Sequence, residues 1–296
     1  MLTNFQFHIE ENLHKNRLDK FLYDEIPLVS RMYLQYLIIS EKCTVNGKIE
    51  NRGYHLQSGD LVEIEVDVKE QTEMLPENIP LDIIFEDSEL LVIDKPPGML
   101  VHPTKGVRRG TLLNGVAYYL NYNEQAEPKN EKLVRAGLVH RLDKKTSGLM
   151  VIAKNARAHR ILSNHFQRKL VGKKYFAVVE GIISEDTGTI DAPIGRNAEE
   201  RFWYISPETG KNAESRFQVV KRNADATLLE MEPVTGRTNQ LRLHCAHIGH
   251  PIIGDDKYGG REFSRLCLHA ARLSFYHPNG NRRLEFESAL PEEMIF

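Results

Sequence analysis

One carboxylate in this chain is placed for chemistry. Asp143 closes the run Gly137-Leu-Val-His-Arg-Leu-Asp143, stands ahead of the apolar stretch Leu149 to Ala153, and is followed by Lys144, Lys145 and Lys154. An aspartate at a strand end or in the adjoining loop is where reacting groups are usually carried. An ionised aspartate there is a nucleophile or a base, and its charge calls for a buried partner. Glycoside hydrolysis would ordinarily use two carboxylates across the bond, and no second acid occurs between Leu138 and Val179. A metal is the competing chemistry, because His244, Cys245, His247 and His250 cluster in sequence. On a helix His244 and His247 are neighbours, but no carboxylate completes the set and Cys245 falls on the apolar side, so no metal is expected. Cys43, Cys245 and Cys267 form no Cys-x-x-Cys pair and read as small buried hydrophobes. Asp255 and Asp256 lie between glycines, where turn formation accounts for them.

The elements that must position Asp143 follow from periodicity. Leu142 and Leu149 to Ala153 are strand-like, with Thr146, Ser147 and Gly148 as the turn between them. A helix is predicted from Asn155, its N-cap, to Leu170, with Gly172 just past its end. Leu162, Phe166 and Leu170 fall on one face of it and Arg157, Arg160, Asn164 and Arg168 on the other. A strand follows over Tyr175 to Val179, with Tyr175, Ala177 and Val179 on one face. A strand over Thr227 to Met231 leads through the Thr235-Gly236 turn into a helix from about Thr238 to His247, ended by Gly249 and Pro251. Leu241, Cys245 and Ile248 make the buried stripe of that helix, and Arg242 projects from another side. Upstream, Asp82 to Phe85 and Leu90 to Ile93 read as two strands leading into Asp94-Lys-Pro-Pro-Gly98.

The 296 residues, 41% of them hydrophobic, are enough for one large or two modest domains with a real core. No apolar run approaches the roughly 20 residues of a membrane helix, and the first residues lack the profile of a signal peptide, so a cytoplasmic protein is expected. The formal net charge of -2 hides an uneven distribution. Residues 1 to 75 carry 8 Lys and Arg against 13 Asp and Glu, whereas Lys144 to Val179 holds nine Lys and Arg and no acid. A basic run is ordinarily a solvated face. Beside a reactive carboxylate it also suits a polyanion, because local fields steer charged partners more than net charge does. The chain divides into a small unit at 12–68, a polar linker at 69–80 containing Pro76 and Pro80, and a large unit at 81–296. Leu18, Phe21 and Leu22, then Met32, Leu34 and Tyr36 to Ile39, suggest two helices in the small unit. Cys43 to Val45 and Leu61 to Val66 suggest strands, punctuated by Asn46-Gly47 and Gly59-Asp60.

His140-Arg-Leu-Asp143 with Thr146-Ser-Gly148 resembles the central motif of the RluA family of pseudouridine synthases. Three other stretches strengthen the likeness: Asp94-Lys-Pro-Pro-Gly98, Lys173-Lys-Tyr175 with Val179-Glu-Gly181, and Thr235-Gly-Arg-Thr-Asn-Gln240 with Leu241-Arg242. The resemblance implies isomerisation of uridine to pseudouridine in RNA with neither cofactor nor metal. It implies Asp143 as the reacting carboxylate, Tyr175 as the ring that stacks on the target base, and Arg242 as the counter-charge that lowers the Asp143 pKa. Arg141 would fill the gap left in the RNA. His140, Arg157, Arg160, Arg168, Lys173, Lys174 and Arg237 would contact RNA, as would Lys95 or His102. Asn239 stands where the family has a histidine, a change expected to touch an RNA or loop contact rather than the chemistry. Arg17-Leu-Asp19, Ser30-Arg31, Val45-Asn-Gly47 and Gly59-Asp60 resemble an S4 RNA-binding domain, with Lys15, Arg17, Arg31, Lys42 and Lys48 as its basic residues. The implied fold is α+β, a mixed, largely antiparallel sheet in the catalytic domain with a small N-terminal S4-like α/β domain. The implied partner is RNA, ribosomal before transfer RNA, acted on by a monomer away from membranes. A noncatalytic RNA-binding protein is the alternative, and it leaves Asp143 and Arg242 without a role.

Overall fold

The computed structural model describes residues 2–11, 16–26, 29, 31–67, 76–104, 107–122, 136–197 and 202–295. It divides into Met1–Leu75 and Pro76–Phe296. The first unit runs β1 (Leu2–His8), α1 (Leu18–Glu25), α2 (Arg31–Ile39), β2 (Cys43–Val45), β3 (Lys48–Ile49) and β4 (Leu61–Asp67). Its antiparallel sheet has the order β1-β4-β2-β3. Alternation along β4 buries Val62, Ile64 and Val66 against Phe21 and Leu22 of α1 and Leu34, Leu37 and Ile38 of α2. Asn46 (φ 53°) and Gly47 (φ 71°) both take positive φ, as a two-residue hairpin turn requires. The unit starts before residue 12, because β1 pairs with β4 from Leu2↔Asp67 to His8↔Leu61.

The basic residues of this unit are partly committed. Arg17 donates to the buried Asp19 at 3.0 and 3.1 Å, and Lys42 pairs with Glu65 at 3.3 Å. Lys48 is exposed. Lys15, Ser30, the Arg31 side chain and residues 69–75 of the expected linker lie outside the described residues.

The second unit continues with β5 (Asp82–Glu86), β6 (Leu90–Lys95), α3 (Leu112–Asn121), β7 (Gly137–Leu138), β8 (Ser147–Ala153), α4 (Ala156–Gln167), β9 (Gly172–Glu180) and β10 (Thr187–Asp191). It then runs β11 (Ile194–Arg196), β12 (Trp203–Ile205), β13 (Glu214–Arg222), β14 (Ala226–Pro233), α5 (Gln240–His247), β15 (Leu268–Tyr276) and β16 (Arg283–Glu287). One sheet organises it, in the order β10-β13-β14-β9-β15-β8-β6-β5, with β16 added on β15 and β7 on β8. Among the described residues only the β15–β8 pair is parallel, so the α+β, mixed and largely antiparallel architecture is as expected. No helix among the described residues is long and apolar enough to cross a membrane.

The centre of the sheet explains where Asp143 goes. All seven residues of β8 are buried, as the near-continuous apolar run demands of a strand covered on both faces. Ser147 and Gly148 belong to this strand rather than to the turn, which falls at Lys144 and Lys145. Gly148 (φ 115°) lies against the Ala270 backbone so closely that a Cβ would strike the carbonyl oxygen. α4 lays Ala158 and Leu162 over Leu90, Val92, Leu149 and Val151. It ends at Gln167, short of Leu170, because Lys169 turns left-handed (φ 57°); Leu170 is 47% exposed, and Gly172 opens β9 instead of capping the helix. Asn155 caps α4 as expected, accepting from the Ala158 N–H at 2.8 Å. Asn155→Ala is therefore expected to lower stability by about 1 kcal/mol. A urea unfolding series with an unchanged slope and a lower midpoint would show it.

Candidate active site

Asp143 occupies the loop that enters β8. The Thr146 N–H donates to its carbonyl at 3.2 Å and closes a tight turn. The turn is tied from beneath by Lys95 at the end of β6, which is fully buried. The Lys95 ammonium donates to the carbonyls of Pro96 (2.7 Å), Met99 (3.0 Å) and Lys144 (3.2 Å). Burial pulls its pKa down to about 8, against the attraction of Asp143. Lys95 therefore staples the Asp94-Lys-Pro-Pro-Gly98 segment to the Asp143 turn and is not open to RNA.

His140 is likewise used internally. Its ring stacks on Phe166 of α4 at 4.5 Å, and its Nε2 accepts the Val151 N–H at 3.0 Å, continuing the β8 ladder beyond the end of β7. Burial lowers its pKa to about 3, so it is neutral and its acceptor nitrogen is spent on backbone. The expectation of a His140 contact with RNA gives way to a packing role.

The partner of Arg242 is the main departure from the sequence reading. Residues Gln240 to Cys245 of α5 are all buried, Arg242 among them, so the helix is not a one-sided stripe. The guanidinium makes a two-pronged bond with the fully buried Asp255, Nε to Oδ2 at 2.7 Å and Nη2 to Oδ1 at 2.6 Å. Asp255 also accepts the Lys257 and Tyr258 N–H groups at 3.1 and 3.3 Å, and Arg242 stacks over the Tyr258 ring at 5.0 Å. Asp143 stands on the other side of the guanidinium, its Oδ2 4.0 Å from Nη1. The expected Arg242–Asp143 pair is present at the outer limit of an ion pair, and the fork belongs to Asp255. The pKa consequence also reverses. Burial pushes the Asp143 carboxyl above the ordinary carboxylate value; Arg242, Arg141 and Lys257 oppose the shift, and the Asp255 charge adds to it. Arg242, shared with Asp255, lowers the Asp143 pKa by less than burial raises it.

Asn239, at the start of α5, reaches the carboxylate directly. With its amide orientation assigned from the hydrogen bonding, Nδ2 donates to Asp143 Oδ2 at 2.9 Å and Oδ1 at 3.3 Å, while its oxygen accepts from the Tyr258 hydroxyl at 2.9 Å. The reverse orientation would set the amide oxygen against the carboxylate. Asn239 thus bears on the Asp143 carboxylate and not only on a loop. Tyr175, on β9, is half-buried; burial first, and then the Asp143 charge, raise its phenol pKa.

The remaining candidates divide. Arg141 is exposed, and its charge acts on both Asp143 and His102. Lys173 is half-buried on the Tyr175 face of β9, whereas Lys174 points to the other face and pairs with Glu230 at 2.5 Å. Arg237, in the loop before α5, is exposed and donates to the Asn212 carbonyl at 3.0 Å. Arg160 and Arg168 are exposed on α4, but Arg157 lies 3.8 Å from Glu89, next to Leu90, which pairs with Ala153 at the end of β8 remote from Asp143. The arginine face therefore runs back along β8 rather than gathering at the carboxylate. Among the described residues no three His, Cys, Asp or Glu side chains gather as metal ligands. His244 donates to the Ala192 carbonyl at 3.1 Å, His250 to the Glu180 carbonyl at 2.7 Å, and Cys245 lies in the core. From the sequence Asp255 reads as a turn former, and Tyr258 carries no signal of its own. The usable signal was Arg242 itself, since a buried guanidinium on a helix needs a buried acid.

The family model for RNA pseudouridylate synthase matches residues 89–247, which take in Asp143, Tyr175 and Arg242 and stop short of Asp255. An uncharacterized RNA pseudouridine synthase of Bacillus subtilis, YlyB, is 42% identical over 287 residues, 96% of this chain and 93% of its own length. The ribosomal large subunit pseudouridine synthase D of Pseudomonas aeruginosa is 39% identical over 296 residues, 95% of this chain and 90% of its own. Among solved structures, human RNA pseudouridylate synthase domain containing 1 aligns with a TM-score of 0.59 at 27% identity, covering 72% of this chain and 84% of that one.

Proposed function

This chain belongs to the RNA pseudouridine synthase family, and on that premise we propose that it isomerises particular uridines of ribosomal RNA, with Asp143 as the reacting carboxylate and no cofactor. The observation that carries the residue assignment is the setting of Asp143, a half-buried carboxylate met by Asn239 and Arg242 on one side, whose charge acts on Tyr175. The reaction breaks the bond between ribose C1′ and uracil N1, turns the base, and joins C1′ to C5; C5 loses its proton and N1 gains one, so the product is an isomer and no electrons are gained or lost. Asp143 acts on the ribose, either adding to C1′ as the base leaves or taking the C2′ proton. A uridine drawn from its stack loses stacking energy, which the Tyr175 ring restores, and Arg141 enters the space left behind. Lys173, Arg237, Arg160 and Arg168 hold the backbone, and the N-terminal unit adds an S4-like RNA contact. The protein works as a monomer in the cytoplasm.

The choice of ribosomal RNA is supported by relatives named as large-subunit synthases, which match over most of their length. It is tested by release of tritium from 5-tritiated uridine in ribosomal and transfer RNA transcripts incubated with the purified protein. Release from ribosomal RNA is the expected result. Release from transfer RNA alone would replace the target, and release from neither would overturn the reading.

A further inference from the structure

We infer that Asn239 and Tyr258 are positioning residues for the reaction: Asn239 orients the Asp143 carboxylate and the Tyr258 hydroxyl acts through Asn239. The inference rests on Asp143 being the reacting group. Asparagine at a helix N-cap normally turns its side chain onto the N–H groups of the first turn. Asn239 holds the N-cap position of α5 yet makes no such bond. Its backbone is left-handed (φ 55°, ψ 22°), a conformation that few residues other than glycine adopt, asparagine and histidine among them. The amide is thereby turned away from the helix and onto the carboxylate. Among the described residues it donates to Asp143 at 2.9 Å, whereas Arg242 is 4.0 Å away and bonded to Asp255.

Both groups lean on the same oxygen. Asn239 Nδ2 and Arg242 Nη1 each approach Oδ2 most closely, which leaves Oδ1 the less encumbered oxygen to meet the ribose. Tyr258 fixes the far end of the amide. Its N–H is bonded to Asp255, its ring lies under the Arg242 guanidinium at 5.0 Å, and its hydroxyl donates to the Asn239 oxygen. A donor on the amide oxygen polarises the amide and strengthens its N–H as a donor to the carboxylate. The contacts close a ring from Asp143 through Asn239, Tyr258, Asp255 and Arg242 back to Asp143, so the loop after Ile252 and the start of α5 set the carboxylate together. Among the described residues the charged and titratable groups facing Asp143 are Arg141, Lys95, Tyr175, Arg242, Asp255, Lys257 and Tyr258. The amide adds to them a neutral donor that favours the ionised form.

The test is tritium release by Tyr258→Phe, Asn239→Ala, Asn239→His and the Tyr258→Phe/Asn239→Ala double variant, with kcat, KM and the pH profile recorded. Phenylalanine keeps the ring under Arg242 and removes only the hydroxyl. Asn239→Ala is expected to lower kcat by about tenfold to a hundredfold, Tyr258→Phe by less, both with KM unchanged. The double variant should be no slower than Asn239→Ala, because the Tyr258 hydroxyl, the group phenylalanine removes, bears on the carboxylate through Asn239. The acid limb of kcat should move to higher pH in Asn239→Ala. Asn239→His should recover most of the rate, since imidazole offers one N–H to Asp143 and one acceptor to Tyr258. A packing role would lower thermal stability without moving the acid limb. Wild-type kcat and acid limb in Tyr258→Phe and Asn239→Ala would overturn the inference, as would fully additive losses. If Asp143→Asn itself turned over normally, the functional reading would fail instead; if it were inactive while these variants behaved as wild type, only the inference would fall.

Discussion

Asp143→Asn is expected to slow tritium release by about a thousandfold or more while leaving the protein folded and at least as stable as the wild type. The loss follows from the chemistry, because an amide is neither a nucleophile nor a base for the ribose. The stability follows from linkage. Burial raises the Asp143 pKa from its ordinary 3.8, so between the unfolded and folded values the native chain binds more protons than the unfolded chain. Stability therefore falls as pH rises through that interval, and at neutral pH the ionised carboxylate is a cost to the fold. Asparagine removes the charge and can still accept from Asn239. Activity has the opposite dependence, since the reacting form is ionised: it rises with pH through the folded pKa, and its acid limb sits above the ordinary carboxylate value. Thermal melts and pH–rate profiles on the same preparations test both statements, and a variant with much lower stability and reduced activity would contradict the first.

Asp255→Ala is expected to cost about 3 to 5 kcal/mol of stability and to depress turnover as well. Removing one partner of a buried ion pair leaves the other charge without compensation, and that residual charge dominates the cost. Arg242 is buried and Asp255 is its two-pronged partner, so alanine strands the guanidinium beside Asp143. The loss is a large fraction of the ~5 to 15 kcal/mol that holds a typical domain together. Urea unfolding measures it; a midpoint shift of a few tenths of a molar, with activity intact, would contradict the central place given to Asp255. Asp255→Asn separates charge from shape. It keeps a bond to the guanidinium but releases the positive charge toward Asp143, so the acid limb of the rate should move to lower pH, opposite to its movement in Asn239→Ala.

Much of the scaffold was legible because local rules decided it. The alternation of β4, the apolar run of β8 and the cap at Asn155 each specify their element within a few residues. α3 was legible too and went unread: Thr111 and Asn114 form a capping box ahead of the apolar residues Leu112, Leu113, Val116 and Leu120. The misplaced end of α4 has a local cause with a weak signature, since lysine rarely takes the left-handed conformation that stops the helix at Lys169. β1 was missed because its partner, β4, lies more than fifty residues away, and only their pairing makes Leu2–His8 a strand.

By itself the sequence singled out Asp143, Tyr175 and Arg242 as candidates and determined the kind of sheet that holds them, because residue type and spacing suggest chemistry and decide secondary structure. Tertiary structure alone decided how the charges are shared. That Arg242 is held by Asp255, that Asn239 reaches Asp143 with Tyr258 behind it, and that Lys95 and His140 are spent on backbone depends on distances of a few ångströms between segments far apart in the chain. Electrostatic and hydrogen-bond energies fall off over that same range, so the spacing of residues along the chain could not fix which acid the arginine neutralises.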